Sequence, residues 1–468
     1  MDFKLPKEVT TILNKFKGAN YQICIVGGAV RDLILGREVK DWDFTTDAKP
    51  EEILELFPSG FYNNQFGTVG ITKNAILGSE ATPESTDEVD IGLTNITDKG
   101  IFEITTMRKE GEYSDSRHPD KITWTNKIEE DLARRDFTVN AMAFASDENI
   151  IDPFGGQKDL NNKIIRAVGH PQKRFQEDAL RLMRAVRFAT QLQFIIEEKT
   201  LTAIKENVQL LQQISWERIR DELLKILGSD HPYEGISLLK DTGILEYILP
   251  EVARCFGIVQ EGPKHDRVYD IGAHSFLSLK NCPSTDPIVR LATLIHDIGK
   301  PDTVRTSADG NVTFYGHDVV GGKLAKKVAE RLKLSSKQTD KIVSLVRFHM
   351  FTLDEKQTDS AIRRFITNIG LENIDDMMAL RVGDRLGGGT ENAVSWRMKE
   401  FRKRIDQVLE KPFSFTDLKV NGQDVMDVLK IKPGKKVGEV LEKLFQEVLE
   451  DDKKNNRDYL LNKIKELS

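Results

Sequence analysis

The chain has 468 residues, of which 39% are hydrophobic and 30% charged, and its formal net charge is −6. This length exceeds one typical domain and predicts three or four units, and no stretch approaches transmembrane length. The negative balance excludes binding of nucleic acid through overall charge, so an RNA site would have to be a local basic patch.

The first residues and the cysteines predict a cytoplasmic location. The start, MDFKLPKEVT, lacks the long apolar core of a secretory signal. Cys24, Cys255 and Cys282 lie far apart and form no Cys-x-x-Cys pair. We therefore expect buried thiols in a reducing compartment.

Residues 1–22 are predicted to form a helix, with apolar side chains at helical spacing. The segment ICIVGGAVRDLILGREVKDWD (23–43) then combines an apolar run, the pair Gly27-Gly28, Arg31, and the acids Asp41 and Asp43. Glycines after a strand let backbone N–H groups approach a phosphate, and an arginine forks onto phosphate oxygens. Two acids at i and i+2 in an extended segment point the same way and suit Mg²⁺. Metal-assisted phosphoryl or nucleotidyl transfer is predicted.

The following residues complete an α/β unit. TTDAKPEEILELFP (45–58) predicts a capped helix, and 61–77 predicts two short strands around glycine turns. The acidic stretch 78–92 reads as a hairpin insertion to which the sequence assigns no role. IFEITTMR is predicted to be a strand with Glu103 on one face, and 128–145 has a helical start and an apolar finish. IIDPFGGQKDL closes this unit, and helical patterns dominate from residue 172 onward.

The segment EDALRLMRAVRFATQLQF (177–194) allows two interpretations. Asp178, Arg181, Arg184 and Arg187 step by three, which predicts a ridge along one side of a helix, while Leu182, Val186 and Ala189 mark an apolar side. In the first interpretation Glu177 pairs with Arg181 and the other arginines are solvated. In the second, Asp178 and Arg181 offer an acceptor beside a planar donor, which pairs with a base edge as another base would.

Three motifs in this order resemble the class II tRNA nucleotidyltransferases, the CCA-adding enzymes, a family that also includes bacterial poly(A) polymerases. They are VGGAVRD…DWD, RRDFTVNAMAF and EDALRLMRAVRFA. The resemblance covers roughly the first 220 residues, and the tail also looks similar to the family. It favours the second interpretation of 177–194 and implies CTP, ATP and the 3′ end of tRNA as substrates.

The same resemblance implies roles for individual residues. Asp41 and Asp43 would hold catalytic Mg²⁺, and Gly28 and Arg31 would contact the incoming triphosphate. Arg135 would contact the nucleotide, and Asp136 would sense the ribose 2′-hydroxyl. Asp178 and Arg181 would read the Watson–Crick edge of CTP or ATP, supported by Arg184 and Arg187. Glu103 is either a third carboxylate of the site or a solvent-facing strand residue.

Two features bear on the product. EYSDSRHP resembles the flexible loop of CCA- and A-adding members, which CC-only enzymes lack, and the GRRF-type signature of poly(A) polymerases is not found. The alternatives are an A-adding or poly(A)-adding relative, or an RNA-binding phosphohydrolase with an inert head. No protein partner and no membrane contact are indicated.

Helical segments downstream carry a histidine set: His274, His296 with Asp297, His317 and His349, followed by Asp384. Nitrogen and oxygen ligands of this kind can surround a divalent metal. The set resembles the HD phosphohydrolase superfamily, which implies His274, His296, Asp297 and Asp384 as ligands of a metal whose identity the sequence leaves open. His317 and His349 would be further ligands or phosphate contacts, and Lys300 would contact phosphate.

The resulting fold prediction is an α/β head joined to all-α parts. The resemblance implies a DNA polymerase beta-like head with a mixed sheet (1–160), followed by an elongated arrangement of helical neck (161–230), HD body (231–412) and helical tail (413–468). The neck would select the nucleotide and bind RNA. The tail is either a plain folded terminal module or, as the resemblance implies, contacts the tRNA elbow through KPGKKVG, where backbone N–H groups and Lys435-Lys436 could meet phosphates.

Overall fold

The computed structural model describes residues 3–64, 67–77, 100–111, 121–145, 149–260, 269–306, 308, 312–351, 358–409 and 415–467. The chain divides into two compact units, Met1–Ile248 and Leu249–Ser468. The finer division into head, neck, body and tail stays a prediction.

The described strands of the first unit are mostly short. They are β1 Ile23–Val26, β2 Asp43–Thr46, β3 Phe61–Asn64, β4 Thr68–Thr72, β5 Ile101–Thr106, β6 Arg108–Glu110, β7 Ile122–Trp124, β8 Ala143–Ala145, β9 Ile150–Ile151, β10 Ile164–Ile165 and β11 Ile195–Ile196. Seven of them form one sheet in the order β3-β4-β5-β2-β1-β8-β9. Only β2 and β5 pair in parallel there, so the sheet is mixed, as predicted.

The described helices of the first unit follow one another along the chain from Lys7 to Ile248. They are α1 Lys7–Gly18, α2 Gly28–Ile34, α3 Pro50–Leu56, α4 Lys73–Leu77, α5 Ile128–Ala133, α6 Gly156–Asn161, α7 Pro171–Glu177, α8 Leu180–Leu192, α9 Glu198–Asn207, α10 Trp216–Leu227, α11 Pro232–Asp241 and α12 Ile244–Ile248. The apolar side of α1 is buried, and the Phe16 ring lies 6.1 Å from that of Phe57.

Alternation along β1 assigns the two faces of the sheet. Cys24 and Val26 pack with Ile128 and Leu132 of α5 in one apolar cluster. Asp43 is the register partner of Val26 and therefore lies on this same face. The face that α5 partly covers is thus the face that carries the predicted catalytic acid.

The second unit is helical apart from two pairs of very short strands among its described residues. Its helices are α13 Pro250–Ala253, α14 Ile271–Asn281, α15 Pro287–Leu294, α16 Lys300–Thr303, α17 His317–Arg331, α18 Ser336–Phe348, α19 Asp359–Ile369, α20 Ile374–Gly387, α21 Trp396–Leu409, α22 Gly422–Leu429, α23 Lys435–Glu450 and α24 Arg457–Glu466. Its strands are β12 Val259–Gln260, β13 Tyr269–Asp270, β14 Arg305–Thr306 and β15 Val312–Thr313. The last three helices share an apolar core around Leu444 and Leu460.

Several predicted elements are confirmed and others need correction. The capped helix α3 and the strand that carries Glu103 are present. Residues 73–77 form α4 rather than the end of a strand, and the helix predicted over 177–194 is interrupted at Asp178. The acidic stretch 78–92 and EYSDSRHP lie outside the described residues. In the described part of the chain no helix is long and apolar enough to span a membrane.

Candidate active site and candidate metal centre

The predicted glycine turn and the predicted acids meet in the first unit. Gly27 has a φ of +71°, which favours glycine, and leads from β1 into α2. A Cβ added to Gly27 would lie 2.9 Å from Nη1 of Arg135 and 3.5 Å from Oδ2 of Asp43. The turn therefore has glycine both for its conformation and because the Arg135 and Asp43 side chains approach its backbone closely.

Burial is the main influence on the pKa of the two acids, Asp41 and Asp43. It raises the pKa of Asp43, while the nearby Arg135 charge opposes the rise and Asp41 adds to it. Burial likewise raises the pKa of Asp41. A cation between the carboxylates would offset this cost, and carboxylate oxygens are the ligands that Mg²⁺ prefers. The residues present fit a magnesium site.

Arg31 does not project freely into solvent. Its Nε and Nη2 donate to the Asp32 carboxylate at 2.9 and 2.8 Å, and its Nη1 donates to Oδ1 of Asn140 at 2.9 Å. Asn140 in turn donates to Oδ1 of Asp136 at 3.2 Å. The turn at Gly28 is thus linked through Arg31 to the RRDFTVN segment.

Asp136 forms the tightest described ion pair of this site. Its Oδ2 accepts from Nε and Nη2 of Arg184 at 2.8 and 2.5 Å. Burial alone would raise the pKa of Asp136, but the Arg184 charge and its hydrogen bonds lower it to about 2. Arg184 responds with a raised pKa, so both groups are charged at neutral pH.

Asp178 lies between α7 and α8, in an extended conformation with φ −147° and ψ 104°. Its Oδ1 accepts from the backbone N–H of Leu180 at 3.0 Å, and its Oδ2 accepts from Nη2 of Arg218 at 2.8 Å. Aspartate competes for backbone donors at helix starts, which explains the interruption of the predicted helix. The ridge of α8 accordingly begins at Arg181.

The arginines of α8 are all paired, and Arg181 and Arg187 are buried. Arg181 donates to Glu177 at 2.9 Å and to the backbone oxygen of Arg134 at 3.0 Å. Arg187 donates to Glu222 of α10 at 2.6 Å, and its guanidinium lies 4.0 Å from the centroid of the Phe188 ring. The pairing of Glu177 with Arg181 is as in the first interpretation, but the burial of Arg181 and Arg187 excludes its solvated arginines.

These groups line one cavity of about 960 Å³. Its wall includes every residue of the first unit given a role by the resemblance except Glu103: Gly28, Arg31, Asp41, Asp43, Arg135, Asp136, Asp178, Arg181, Arg184 and Arg187. Glu103 lines a smaller cavity of about 260 Å³, which shares Asp43 with the large one. The acids and the hydrogen-bonding groups of α8 therefore face the same space.

A second site lies within the second unit, where the predicted histidine set comes together. Asp297 stands between two pairs of imidazoles. Its Oδ2 is 3.2 Å from Nε2 of His296 and 3.6 Å from Nε2 of His274. Its Oδ1 is 3.5 Å from Nε2 of His317 and 3.8 Å from Nε2 of His349. His274, His296 and Asp297 form one group with metal-ligand spacing, and Asp297, His317 and His349 form another.

Backbone carbonyls set the tautomers of three of these histidines. The Nδ1 atoms of His296, His317 and His349 lie 2.7 to 2.9 Å from the carbonyl oxygens three residues earlier. Since a carbonyl only accepts, each Nδ1 carries a proton, and Nε2 is the ring atom left to bind a metal. Nε2 of His317 and Nε2 of His349 are 3.4 Å apart. Facing lone pairs favour a cation between them, so the residues fit a metal site.

The charges around these histidines point the same way. Burial opposes ionisation of Asp384 and Asp297, yet the nearby histidines, with Arg381 and Lys300 respectively, hold the pKa of each carboxyl well below its usual range. Burial lowers the pKa of His349 to about 3, which keeps this imidazole neutral. Lys300 donates to Oδ2 of Asp297 at 2.6 Å. A cavity of about 650 Å³ opens here, lined also by Arg381 and Arg385.

Comparisons with known proteins find related proteins along most of the chain. Residues 23–166 match the family model of the poly(A) polymerase head domain. Residues 193–256 match "Probable RNA and SrmB-binding site of polymerase A", and 319–464 match tRNA nucleotidyltransferase domain 2. A CCA-adding enzyme of Ligilactobacillus salivarius is 31% identical over 463 residues, which cover 98% of this chain and 96% of that protein. The chain belongs to the CCA-adding enzyme family.

Two further members of the CCA-adding family illustrate how the likeness is distributed. The enzyme of Lactobacillus helveticus is 44% identical over 236 residues, which cover 50% of this chain and 53% of that protein. The crystal structure of the Bacillus stearothermophilus enzyme in complex with CTP has a TM-score of 0.68 and 26% identity, covering 99% of this chain and 98% of that one.

Three residues that contact the predicted site residues were missed from the sequence. Arg218 and Glu222 of α10 pair with Asp178 and Arg187, and Asn140 links Arg31 to Asp136. The segment WERIRDELLKIL has an amphipathic helical pattern, and Glu222 interrupts its apolar side. A buried acid on such a face requires a cation, and this signal could have identified Glu222.

Proposed function

We propose that this chain builds or repairs the 3′-terminal CCA of tRNA from CTP and ATP, without a nucleic-acid template and with release of pyrophosphate. The observation that carries the proposal is the shared cavity. Asp41 and Asp43 line it together with Asp178 and the arginines of α8. A nucleotide whose α-phosphate lies at the acids would therefore present its base to protein hydrogen-bonding groups.

In this proposal the chain's own residues bind and orient the reactants. The backbone at Gly28 and the Arg31 guanidinium hold the triphosphate, and Arg135 balances charge beside Asp43. The oxygen of the tRNA 3′-hydroxyl bonds to the α-phosphorus, while the bond to the β-phosphate breaks and pyrophosphate leaves. Magnesium held by Asp41 and Asp43 would lower the pKa of the hydroxyl and stabilise the leaving oxygen. Asp136, fixed by Arg184, would sense the ribose 2′-hydroxyl.

Base selection is assigned to Asp178 and Arg181. A carboxylate accepts from an exocyclic amino group, and a guanidinium donates to ring nitrogens or oxygens of the base edge. The Bacillus stearothermophilus relative, solved with CTP, supports this nucleotide class.

Sequencing of reaction products tests the proposal. The protein is incubated with Mg²⁺, CTP and ATP, once with tRNA lacking CCA and once with tRNA ending in CC. The expected products end in CCA in both reactions. Extension of only the CC-ending tRNA would indicate the A-adding alternative, and a long A tail would indicate a poly(A)-adding enzyme. Absence of Mg²⁺-dependent CTP incorporation would indicate an inert head.

We propose a second, metal-dependent phosphohydrolase activity in the second unit. His274, His296, Asp297 and Asp384 would hold one divalent ion, and Asp297, His317 and His349 a second, with Asp297 shared. Arg381, Arg385 and Lys300 line the adjoining cavity and would contact the phosphate of the substrate. The family model that matches 319–464 describes a tRNA nucleotidyltransferase domain, so this activity rests on the side-chain geometry alone.

Hydrolysis of a generic phosphomonoester and of a 2′,3′-cyclic nucleotide tests this second activity. Hydrolysis is expected to require added divalent metal and to disappear in the double variant His296→Ala, Asp297→Ala. Hydrolytic activity that survives this double change would exclude the assignment. CTP incorporation by the same variant serves as the control for folding of the first unit.

The remaining assignments follow from the proposed substrate. Lys435 and Lys436 are exposed at the start of α23 and would contact phosphates of the tRNA elbow. Cys24, Cys255 and Cys282 are buried thiols, which supports the reducing cytoplasm in which we propose that the enzyme works. The four parts with bounds at 160, 230 and 412 are retained as the proposed domain organisation.

A further inference from the structure

A row of register partners crosses the catalytic face of the sheet. Phe61 of β3 is paired with Gly70 of β4, Gly70 with Glu103 of β5, and Glu103 with Asp43 of β2. Register partners project to the same face, and neighbouring strands lie roughly 4.8 Å apart. Phe61 therefore lies on the face of Asp43, about 14 Å from it and beyond Glu103.

Two aromatic rings lie over glycines on either side of Thr68. A Cβ added to Gly70 would approach Cζ of Phe61 to 2.5 Å, and a Cβ added to Gly67 would meet the Trp124 ring. The rings thus lie directly on the backbone of β4 and the turn before it. Phe61 is 40% exposed and Trp124 is 37% exposed, so each ring covers protein on one side and faces solvent on the other.

The small cavity of about 260 Å³ connects this area to the acids. Its wall contains Asp43 and Glu103, Thr68 beside the rings, and the cationic side chains Arg108, Arg134 and Arg135. The Nε of Arg135 is buried and has no hydrogen-bond partner among the described residues. Asp43 also lines the large cavity, so two separate spaces meet at this carboxylate.

The geometry of the transfer assigns different reactants to these two spaces. In an in-line displacement the attacking and leaving oxygens lie on opposite sides of the phosphorus. The large cavity holds Arg31 and the base-reading groups and would take the nucleotide with its leaving pyrophosphate. The attacking 3′-hydroxyl must then approach Asp43 from another side, and the Glu103 cavity opens at that carboxylate.

We propose that Phe61 and Trp124 are stacking platforms for the last bases of the acceptor RNA strand, and that its terminal nucleotide enters the Glu103 cavity. This inference rests on the proposed nucleotidyl transfer. Exposed aromatic rings beside cationic side chains are the combination that binds single-stranded nucleic acid irrespective of base. A platform indifferent to base identity suits a growing end whose last base changes with each addition.

A ring that covers a strand glycine also contributes to sheet packing. A packing role and a stacking role of these rings predict different changes when the rings are removed. Removal of packing alone would lower the thermal stability and affect both substrates equally. Removal of a stacking platform would raise the KM and Kd of the acceptor strand and leave the KM of CTP unchanged.

The test compares Phe61→Leu and Trp124→Leu with the wild type, using a tRNA minihelix that ends before CCA. Its last base is 2-aminopurine, whose fluorescence is quenched on stacking, and binding is measured in EDTA so that no catalysis intervenes. Each variant is expected to raise the Kd and KM of the minihelix about ten- to hundredfold and to reduce the quenching. Phe61→Tyr and Trp124→Phe should restore binding.

Tyr62 provides a matched control. It follows Phe61 in the same strand, is 48% exposed, and projects to the opposite face. Tyr62→Leu is expected to leave minihelix binding unchanged. Equal effects of Tyr62→Leu and Phe61→Leu, or a minihelix Kd within twofold of wild type in both Leu variants, would overturn the proposal.

A measurement on the unmodified protein covers the case in which a variant fails to fold. A minihelix with 4-thiouridine as its last nucleotide is irradiated in complex with the wild-type protein, and the linked peptides are identified by mass spectrometry. Links are expected in the peptides that contain Phe61 or Trp124, and links confined to other peptides would overturn the proposal. Failure of nucleotidyl transfer itself is recognised separately, by absent CTP incorporation in the wild type.

Discussion

Arg218 of α10 donates from Nη2 to Oδ2 of Asp178 at 2.8 Å, and so fixes the carboxylate that the family resemblance assigns to base reading. The other oxygen of Asp178 accepts from the backbone of Leu180. The Asp178 side chain is thus held in one orientation by the start of α8 on one side and by Arg218 of α10 on the other. The precision of base reading would depend on Arg218 of α10, which is 40 positions away from Asp178 in the chain.

Arg218→Ala is expected to weaken the choice between CTP and ATP about tenfold. A hydrogen bond to a charged group contributes about 1.5–3 kcal/mol, and without it the Asp178 carboxylate can rotate. Single-turnover incorporation of CTP and of ATP onto the same minihelix measures this ratio. Arg220→Ala is the control, since Arg220 lies on the same helix, pairs with Asp221 and does not line the large cavity. An unchanged ratio in Arg218→Ala would remove Arg218 from base selection.

The acids and the arginines of this site could be predicted from the sequence because each belongs to a local motif. Asp41 and Asp43 follow a strand and a glycine turn, and Arg181, Arg184 and Arg187 recur at helical spacing. The partners could not be predicted in this way. Arg218, Glu222 and Asn140 are brought in by packing between elements distant in the chain, which local periodicity does not encode.

The same distinction applies to the sheet and to the histidines. Alternation in β5 predicts that Glu103 lies on one face, but the strand order that places it between Asp43 and Gly70 depends on non-local pairing. The histidine set was predicted as one group of ligands. The spacing of His317 and His349 along the chain does not reveal that they face the other oxygen of Asp297.

Asp43→Asn is expected to stop nucleotide transfer and, in EDTA, to stabilise the protein at neutral pH by about 1–3 kcal/mol. Burial raises the pKa of Asp43, so the folded state holds its proton more tightly than the unfolded chain and loses stability as the pH rises through that pKa. The extra stability of Asp43→Asn over the wild type should vanish at low pH, where the Asp43 carboxyl is protonated in both the folded and the unfolded state. Thermal unfolding between pH 3 and 8 measures this stability difference, and Asn in place of the exposed Asp241 (Asp241→Asn) is the control. A Tm of Asp43→Asn at pH 7 that is equal to or lower than that of the wild type would contradict the expectation.

Arg184→Met is expected to lower the free energy of unfolding at pH 7 by about 2–3 kcal/mol. Loss of one partner of a fully buried pair costs about 3–5 kcal/mol, and water screens this pair because 34% of the Arg184 side chain is exposed. The pKa of Asp136 is lowered to about 2, so the contribution is present above the ordinary aspartate pKa and is lost as the pH falls toward 2. Urea unfolding at pH 7 gives the value.

The double variant Asp136→Asn, Arg184→Met isolates the pair itself. Its destabilisation should be clearly smaller than the sum of the two single changes, because neither variant side chain leaves a buried charge. Simple additivity of the three measurements would show that Asp136 and Arg184 do not stabilise each other.

Metal content provides the sharpest test of the second unit, because Asp297 faces a different pair of histidines with each oxygen. With the magnesium site of the first unit removed by Asp43→Asn, the otherwise wild-type chain is expected to bind two divalent ions, measured by equilibrium dialysis and elemental analysis. His274→Ala and His317→Ala should each lose one ion, since each change removes a ligand from a different group. Asp297→Ala should lose both, and His170→Ala, an exposed histidine of the first unit, should lose neither. One ion in the Asp43→Asn background, lost equally on adding His274→Ala or His317→Ala, would reduce the two proposed sites to a single one.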